Sequence, residues 1–385
     1  MQKIFSFKYR IYPNNVQKNK IDNNISCARF IYNQLLSSRI YKYGKYLQYI
    51  KRCKKIGLKE NPKHFYSFCK LSSVTEIKNN YEFLKEADSL ALCAEYNNVK
   101  NAFQNFFLGI RKFPKYKTRK DKNSYITTCV NNNIRIENAK IRLPKIGFVK
   151  IRLHRELPEI YEIKRVIVSN DKCDRYYVNI IIEIEITKAE SDLKKVVGLD
   201  FKIGDVFVSS DNEIPQYIMP YRKAIDRLKK LQKIMKRKRR FSKNWYKILR
   251  KIQNIHKKIS NKRKYFLHKL STYLCKKYDV ICIESLSMVD VAKKLGSGNN
   301  TYDTSYYRFC KMLQYKLENL EKMLVKVDKW FPSSKMCSCC GSVKEVLNLD
   351  ERVYNCEYCG FEINRDLNAA INIKNEGLRI LNMVT

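Results

Sequence analysis

The chain has 385 residues and carries 78 Lys and Arg against 37 Asp and Glu, a formal net charge of +41. This length is sufficient for two or three domains with buried cores. A charge this large repels itself unless a polyanion neutralises it, so nucleic acid is favoured as partner over a merely solvated basic surface. Without a run of about 18 apolar residues or an apolar signal core, we expect no membrane association and a cytoplasmic location.

The first half of the chain is typical of a β unit interrupted by helices. Residues 3–13 alternate apolar and basic positions, which predicts a half-exposed strand. Apolar residues at helical spacing follow over 15–110, and a basic, proline-containing loop over 111–123 ends that region. Residues 124–188 then read as short strands. We therefore predict a sheet with a helical insertion.

The second half begins with a buried strand and hairpin over 194–212. Two long basic helices over 219–278, joined near Ser242, come next. The remaining predicted elements are an apolar strand, a helix and a short strand that leads into a group of cysteines: 278–287, 303–324 and 325–332.

The cysteine group predicts a metal site. Two C-x2-C pairs are separated by 15 residues, and this spacing is typical of zinc-ribbon ligands. The predicted ligands are Cys337, Cys340, Cys356 and Cys359. Cys339 breaks the spacing and is treated as spare. Disulfides or unliganded thiols are the alternatives, while the nine cysteines scattered from Cys27 to Cys310 are expected to be reduced and buried.

Three acids suggest a catalytic site. Asp200 and Glu284 each follow an apolar strand, and Asp366 stands in the first turn of a predicted helix with Asn364 as N-cap. Singly, each has a plain explanation as a turn residue or a complement to the helix dipole. Together, their placement on strand, hairpin, strand and helix describes an RNase H-like nuclease core, in which shared carboxylates hold two Mg²⁺ ions about 4 Å apart.

Motifs along nearly the whole chain are similar to those of one known family. The chain resembles the TnpB (OrfB) family of insertion-sequence proteins, which is related to the type V CRISPR effectors. The matching motifs include "KYRIYPNNVQ", "CARFIYNQLL", "KFPKYK", "GLDFKIGD", "IESLSM", "FPSSKMCSCCG" and "CEYCGFEINRDLNAAINI". The stretch "GLDFKIGD" departs mildly from the more usual Gly-Ile-Asp-Leu-Gly pattern of the family, but all three acids are present.

The resemblance implies a multidomain α+β fold. A wedge-type β-barrel with a helical recognition insertion would precede an RNase H-like (RuvC) α/β nuclease domain, into which a zinc ribbon is inserted beside Asp366. The implied bounds are 1–14 and 111–190 for the barrel, 15–110 for the helical insertion, 191–330 and 363–385 for the nuclease domain, and 331–362 for the ribbon. Asp200, Glu284 and Asp366 would form the catalytic triad and bind Mg²⁺, and the four paired cysteines would bind Zn²⁺.

The family also implies the partners, namely a guide RNA derived from the element and double-stranded target DNA. The protein would act as a monomer in the ribonucleoprotein, with oligomers left open, in a nucleoid-associated location of a prokaryotic cell. Basic stretches with neighbouring aromatic residues are the predicted contacts, including the loop Lys112–Lys120. For this loop and for the strand around Tyr9 and Arg10, a merely solvated basic face is the alternative. The predicted contact residues are Tyr9, Arg10, Lys115, Arg237, Lys238, Arg239, Arg240, Lys243 and Trp245.

The function implied is that of an RNA-guided DNA endonuclease of a transposable element. It would hydrolyse phosphodiester bonds with two metal ions after guide pairing and recognition of a short flanking motif. The alternatives are a guided regulator that no longer cleaves, an accessory protein of DNA transposition or recombination, and a small CRISPR effector. A regulator would be expected to lack a triad acid, and the four histidines show no His-x-His pair for strand transfer.

Overall fold

The computed structural model describes residues 2–58, 71–119, 121, 123–171, 173–185, 194–202, 204–287, 305–348 and 351–384. Lys120, within the predicted contact loop, lies outside them. The chain forms two compact units, Met1–Thr187 and Lys188–Thr385. Within the described ranges, no helix combines the length and apolar character needed to cross a membrane.

The first unit is built on a curled, antiparallel, seven-stranded sheet in the order β2-β6-β7-β1-β5-β4-β3. Its strands are β1 (Gln2–Tyr12), β2 (Ser124–Thr128), β3 (Arg135–Glu137), β4 (Lys140–Leu143), β5 (Gly147–Arg152), β6 (Glu162–Asn170) and β7 (Tyr176–Glu185). Strand β1 is the middle strand, paired with β7 and β5, and its alternate side chains Phe7, Tyr9 and Ile11 are buried in the core.

The helices of the first unit follow β1, as the sequence predicts. Those in the described residues are α1 (Asn15–Lys55), α2 (Val74–Asn80) and α3 (Ser89–Phe107), with a 3₁₀ turn at Glu82–Glu86. Helix α1 begins with a capping box, in which Asn14 accepts from the Gln17 backbone N–H at 2.8 Å and Gln17 accepts from the Asn14 backbone N–H at 3.1 Å. Apolar side chains of α1 and α3 form a shared core.

The second unit contains a four-stranded sheet in the order β11-β10-β8-β9. Strands β8 (Val196–Lys202), β10 (Val280–Glu284) and β11 (Met323–Val327) are parallel, and β9 (Val206–Ser209) is antiparallel to β8. The described residues of this unit form the helices α4 (Ile225–Lys236), α5 (Lys243–Lys277), α6 (Tyr306–Asn319) and α7 (Arg365–Val384). Ser242 caps α5 by accepting from the Trp245 backbone N–H at 3.2 Å, at the predicted junction.

Helices cover both faces of this sheet. One face of β8 and β10, with Val197, Leu199 and Ile283, packs against α5 and α6. The opposite face, which includes Cys282, packs against Ile373 of α7. Because side chains alternate along a strand, Asp200 and Glu284 belong to the α7 face.

The predicted elements before the cysteines need one correction. Helix α6 ends at Asn319, because Glu321 adopts a left-handed conformation (φ 58°) that an α-helix does not continue. Leu324, predicted on the helix, lies in β11. That strand ends at Val327, where the Asp328 side chain accepts from the Trp330 backbone N–H at 2.8 Å and turns the chain.

A small module follows β11 and contains the hairpin β12 (Val353–Asn355) and β13 (Glu362–Asn364). Its core is formed by Tyr354 with Cys337 and Cys356. Every described cysteine is a free thiol. The prediction that the scattered cysteines are buried is wrong for the exposed Cys93 on α3, and Cys129, Cys173 and Cys310 are only half-buried. Cys69 lies outside the described residues.

Candidate functional site

Two of the predicted acids lie side by side at the carboxyl ends of adjacent parallel strands. Strand β10 pairs with β8 in a register that places Ile283 opposite Leu199. One step further along, Glu284 is opposite Asp200, and adjacent strands are about 4.8 Å apart. The carboxyl edge of a parallel sheet is the usual position of a functional site in such folds.

Helix α7 brings the third acid to the same face because glycines allow it to lie close to the sheet. A Cβ at Gly198 would stand 2.6 Å from the Lys374 backbone nitrogen and closer still to the Ala370 carbonyl oxygen. A Cβ at Gly377 would stand 2.8 Å from the Cβ of Cys282. Ordinary carbon contacts are about 3.5–4 Å, so neither position accepts a side chain in this packing.

Asp366 stands one turn before Ala370 and is surrounded by basic groups. Asn364 caps α7 as predicted, accepting from the backbone N–H of Asp366 at 3.0 Å. The Lys202 Nζ lies 3.4 Å from Asp366 Oδ2, and the Arg365 Nε lies 3.8 Å from Oδ1. Lys202 is two residues after Asp200, on the same face of β8.

Asp200 is influenced electrostatically by the other two acids. Burial raises the pKa of Asp200 well above its ordinary value, and the charges of Glu284 and Asp366 raise it further, while Arg365 opposes the shift. Burial also raises the pKa of Glu284, against a hydrogen bond that Ser333 donates to Glu284 Oε1. Like charges crowded in this way favour the binding of a cation.

The carboxylates do not converge on a single point. Among the described residues, the cysteine group is the one set of three or more such side chains whose ligand atoms lie close enough together to hold one ion. The acids therefore do not form a closed cage for one ion, and Lys202 and Arg365 engage the carboxylate of Asp366.

Sequence reasoning missed Lys202 and Ser333. For Lys202 a signal was available, because a residue two positions from Asp200 on a strand shares its face.

The four predicted thiolates converge in the small module. The Sγ atoms of Cys337, Cys340, Cys356 and Cys359 lie within 4.8 Å of one another. Sulfur pairs are separated by 3.7 Å for Cys337 and Cys359 and by 3.6 Å for Cys340 and Cys356. A tetrahedral ion with Zn–S bonds of about 2.3 Å gives sulfur separations of about 3.8 Å. Disulfides need about 2.05 Å, so the geometry suits a metal rather than a bridge.

A serine between the cysteine pairs supports the ionisation of one thiol in each pair. The Ser342 hydroxyl lies 3.2 Å from the Sγ of Cys340 and 3.2 Å from that of Cys356. Its hydrogen bond is the largest influence on both thiols and, together with backbone hydrogen bonds, it lowers the pKa of Cys340 and that of Cys356, the latter to about 6. Thiolates are the form that binds metal. Cys339, the predicted spare, is exposed and outside the group.

The helices α4 and α5 form a basic hairpin, residues 225–277, which has no acid between Arg227 and Tyr278. The predicted contact residues of its turn are exposed, except for the half-buried Trp245: Arg237, Lys238, Arg239, Arg240, Lys243 and Trp245. Exposed rings of Phe241 and Tyr246 lie 5.7 and 5.1 Å from the Trp245 ring. Sequence reasoning did not single out these two rings.

A shallow groove continues from this turn along α5. It is lined by Lys243, Tyr246, Lys247, Arg250, Lys251 and Asn254. The Arg240 guanidinium lies 5.0 Å from the centre of the Phe241 ring. Charged groups with exposed rings are suited to contact phosphates and to stack on bases.

The predicted contacts in the first unit need correction. Tyr9 is 1% exposed and its hydroxyl donates to the Arg155 carbonyl at 2.8 Å, so the prediction of a surface contact is wrong for this residue. Arg10 and Lys115 are exposed. In the predicted loop, Lys117 is bound internally, with its Nζ 2.7 Å from Glu95 Oε2.

Comparisons with known proteins match three parts of the chain. Residues 306–373 match a family model described as "Cas12f1-like, TNB domain", and residues 179–295 match one described as "Probable transposase". Residues 1–47 match a model described as "Helix-turn-helix domain", although the described part of this range forms β1 and the beginning of the single long helix α1.

Whole-chain relatives decide the family. A protein of Streptomyces pristinaespiralis named "Putative RNA-guided DNA endonuclease" is 32% identical over 97% of this chain and 89% of its own length. The chain belongs to the TnpB (OrfB) family. A second relative, from Escherichia coli K12 and named "Putative RNA-guided DNA endonuclease InsQ", is 27% identical over 99% of this chain and 94% of its own length.

The fold of this TnpB family member is shared with a solved structure. The structure titled "Cryo-EM structure of the Cas12f1-sgRNA-target DNA complex" aligns with a TM-score of 0.61 at 16% sequence identity. The alignment covers 94% of this chain and 83% of that one. At this identity the likeness concerns the fold alone.

Proposed function

We propose that the protein is an RNA-guided DNA endonuclease of a transposable element. One observation carries the proposal: Asp200, Glu284 and Asp366 occupy one face at the carboxyl edge of a parallel sheet. The names of the two whole-chain relatives support it, and so does the fold shared with a Cas12f1 complex with guide RNA and target DNA. In this proposal the second unit contains an RNase H-like (RuvC) nuclease fold.

The three carboxylates would hold magnesium. Hard oxygen ligands suit Mg²⁺, which when bound would activate the attacking water and stabilise the leaving oxygen. Asp200 would serve as the ligand shared by the two ions, because the charges of both Glu284 and Asp366 act on it. Lys202 and Arg365 would hold Asp366 in place and give the site positive charge for the DNA phosphate.

The cysteine module would be a zinc ribbon. The sulfur separations of 3.6 and 3.7 Å suit tetrahedral Zn²⁺, and a closed set of four thiolates is typical of a structural site. Zinc would therefore stabilise the segment from Cys337 to Cys359 without taking part in hydrolysis.

The remaining surfaces would hold nucleic acid. The basic hairpin offers exposed guanidinium and ammonium groups beside the rings of Phe241 and Tyr246, which suits phosphate contact with base stacking. The seven-stranded sheet would correspond to a wedge-type barrel and α1 to α3 to a helical recognition insertion. Sequence would be read by base pairing with the guide, so the protein needs to recognise mainly duplex shape and a short flank.

The test is guided cleavage. The protein is produced with RNA transcribed from the end of its element, and the complex is given guide-matched duplex DNA with a randomised flank and Mg²⁺. We expect cleavage confined to certain flanks and dependent on the guide. The matched control is Asp200→Asn, which keeps the shape of the side chain and removes its charge.

Two results would contradict the proposal. Guide-dependent binding without cleavage by the unmutated protein would instead identify a guided regulator. Cleavage that persists in Asp200→Asn would exclude this carboxylate site as the source of activity.

A further inference from the structure

Two buried asparagines on α7 hold the chain on both sides of Cys337. Asn372 donates to the Ser333 carbonyl at 2.8 Å and to the Met336 carbonyl at 2.7 Å. Asn368 donates to the same Met336 carbonyl at 2.7 Å and accepts from the Ser338 backbone N–H at 2.9 Å. Asn372 is 2% exposed and Asn368 is 0% exposed, so the loss of these bonds would leave buried polar groups unpaired.

Ser333 connects this network to the carboxylate site. Its hydroxyl donates to Glu284 Oε1, its backbone N–H donates to the Phe331 carbonyl at 2.8 Å, and its carbonyl accepts from Asn372. The residue is 5% exposed. Ser333 is restricted to one conformation, because it is buried and its hydroxyl, backbone N–H and carbonyl are all hydrogen-bonded.

The turn between Ser333 and the first cysteine is short and internally bonded. The Met336 backbone N–H donates to the Pro332 carbonyl at 2.9 Å, and the Tyr354 hydroxyl donates to the Lys335 carbonyl at 2.9 Å. Tyr354 is itself fully buried in the core of the cysteine module. These bonds connect the core of the cysteine module to the turn that begins at Ser333, whose hydroxyl contacts Glu284.

We infer that Ser333 is a positioning residue for Glu284, and that through Ser333 and Asn372 the cysteine module orders the carboxylate site. The inference rests on the proposed function. The bond to Oε1 restricts rotation of the Glu284 carboxylate and leaves Oε2 for a cation. Outer partners of metal ligands act in this way, and their removal costs about 10–100-fold in metal affinity or activity.

The test compares neighbouring serines. Ser333→Ala removes the hydroxyl, Ser333→Thr retains it, and Ser334→Ala changes the exposed residue next to it. Mn²⁺ binding to the full-chain protein without RNA is measured by calorimetry, with Asp200→Ala defining binding elsewhere. The Mg²⁺ dependence of guided cleavage and the zinc content are measured for the same proteins.

We expect Ser333→Ala to weaken Mn²⁺ binding at the site about 10–100-fold and to raise the Mg²⁺ needed for half-maximal cleavage similarly, with zinc content unchanged. Ser333→Thr and Ser334→Ala should resemble the unmutated protein. Mn²⁺ binding by Ser333→Ala as tight as that of the unmutated protein would overturn the inference alone. Mn²⁺ binding by the unmutated protein no greater than that of Asp200→Ala would overturn the carboxylate metal site and this inference with it.

A second variant tests the connection to the cysteine module. Asn372→Ala frees the Ser333 and Met336 carbonyls without touching a thiolate or a carboxylate. We expect zinc to remain bound while Mn²⁺ binding falls to the level of Ser333→Ala. Zinc retained with Mn²⁺ binding unchanged would contradict the coupling. If Asn372→Ala does not fold, the Ser333 and Ser334 variants decide whether Ser333 positions Glu284.

Discussion

The carboxylate site and the basic hairpin differ in how their charged side chains are arranged. At the site, a few side chains are fixed by close packing, and Asp200 is influenced by the charges of Glu284 and Asp366. On the hairpin, many exposed basic groups are spread over residues 225–277. Removing one charged side chain should therefore reduce function strongly at the carboxylate site and only slightly on the basic hairpin.

The largest effect is expected from Asp200→Asn. Stabilisation of charge by a bound metal ion contributes several kcal/mol to such reactions, so loss of its shared ligand should slow guided cleavage by about 10³-fold or more. Binding of guide RNA and target DNA should be unchanged. Single-turnover kinetics measure the cleavage rate, and filter binding measures the affinity for guide RNA and target DNA. Asp226→Asn, at an exposed acid of α4, is the control, and equal losses in both variants would contradict the specific role of Asp200.

Loss of a thiolate should come next. Cys356→Ser removes one of four converging ligands, and structural zinc supplies about 10–16 kcal/mol in small peptide modules. We expect zinc content to fall and limited proteolysis to cut within residues 331–362. The matched control is Cys339→Ser, the exposed cysteine beside the ligands. Zinc loss in the Cys339 variant, or its retention in the Cys356 variant, would show that the ligand set is different.

A smaller effect is expected where α7 lies against β8. Gly198→Ala places a methyl group against the backbone of α7, and overpacking of this kind costs about 1–3 kcal/mol. Denaturant unfolding should show this loss of stability, and cleavage should fall because Asp366 is displaced. Gly44→Ala in α1 has open space and should be neutral or stabilising. Equal stability of the two variants would contradict the close approach.

The smallest effect is expected on the basic hairpin. Arg239→Ala should weaken nucleic-acid binding a few-fold and reduce the slope of log affinity against log salt by about 1, whereas Arg239→Lys should retain the slope. Salt titrations of binding measure both. A loss of binding in Arg239→Ala as great as the loss of cleavage in Asp200→Asn would mean that the hairpin is not a distributed surface.

Local patterns in the sequence predicted much of this structure. The alternation of β1, the hairpin of β8 and β9 and the junction at Ser242 are present as predicted, because each depends on neighbouring residues. The four spaced cysteines are the ones that converge. Tyr9 was mistaken for a surface residue, although it lies in phase with Phe7 and Ile11 on the buried side of the strand.

Contacts between distant residues could not be predicted in this way. Ser333 and Glu284 are 49 positions apart, and neither the spacing nor the type of a serine indicates which carboxylate it meets. The glycine at position 198 is explained only once α7 is seen against it. Such contacts are set by packing of helices on the sheet, which no periodic pattern encodes.

The most direct test of the central claim is whether the three carboxylates hold a pair of metal ions. Electron paramagnetic resonance of the full-chain protein with Mn²⁺ detects the magnetic coupling of ions about 4 Å apart. We predict a coupled pair in the unmutated protein and its loss in each of Asp200→Asn, Glu284→Gln and Asp366→Asn. A signal from isolated ions alone in the unmutated protein would contradict the two-metal site. A coupled signal that survives all three substitutions would contradict it as well.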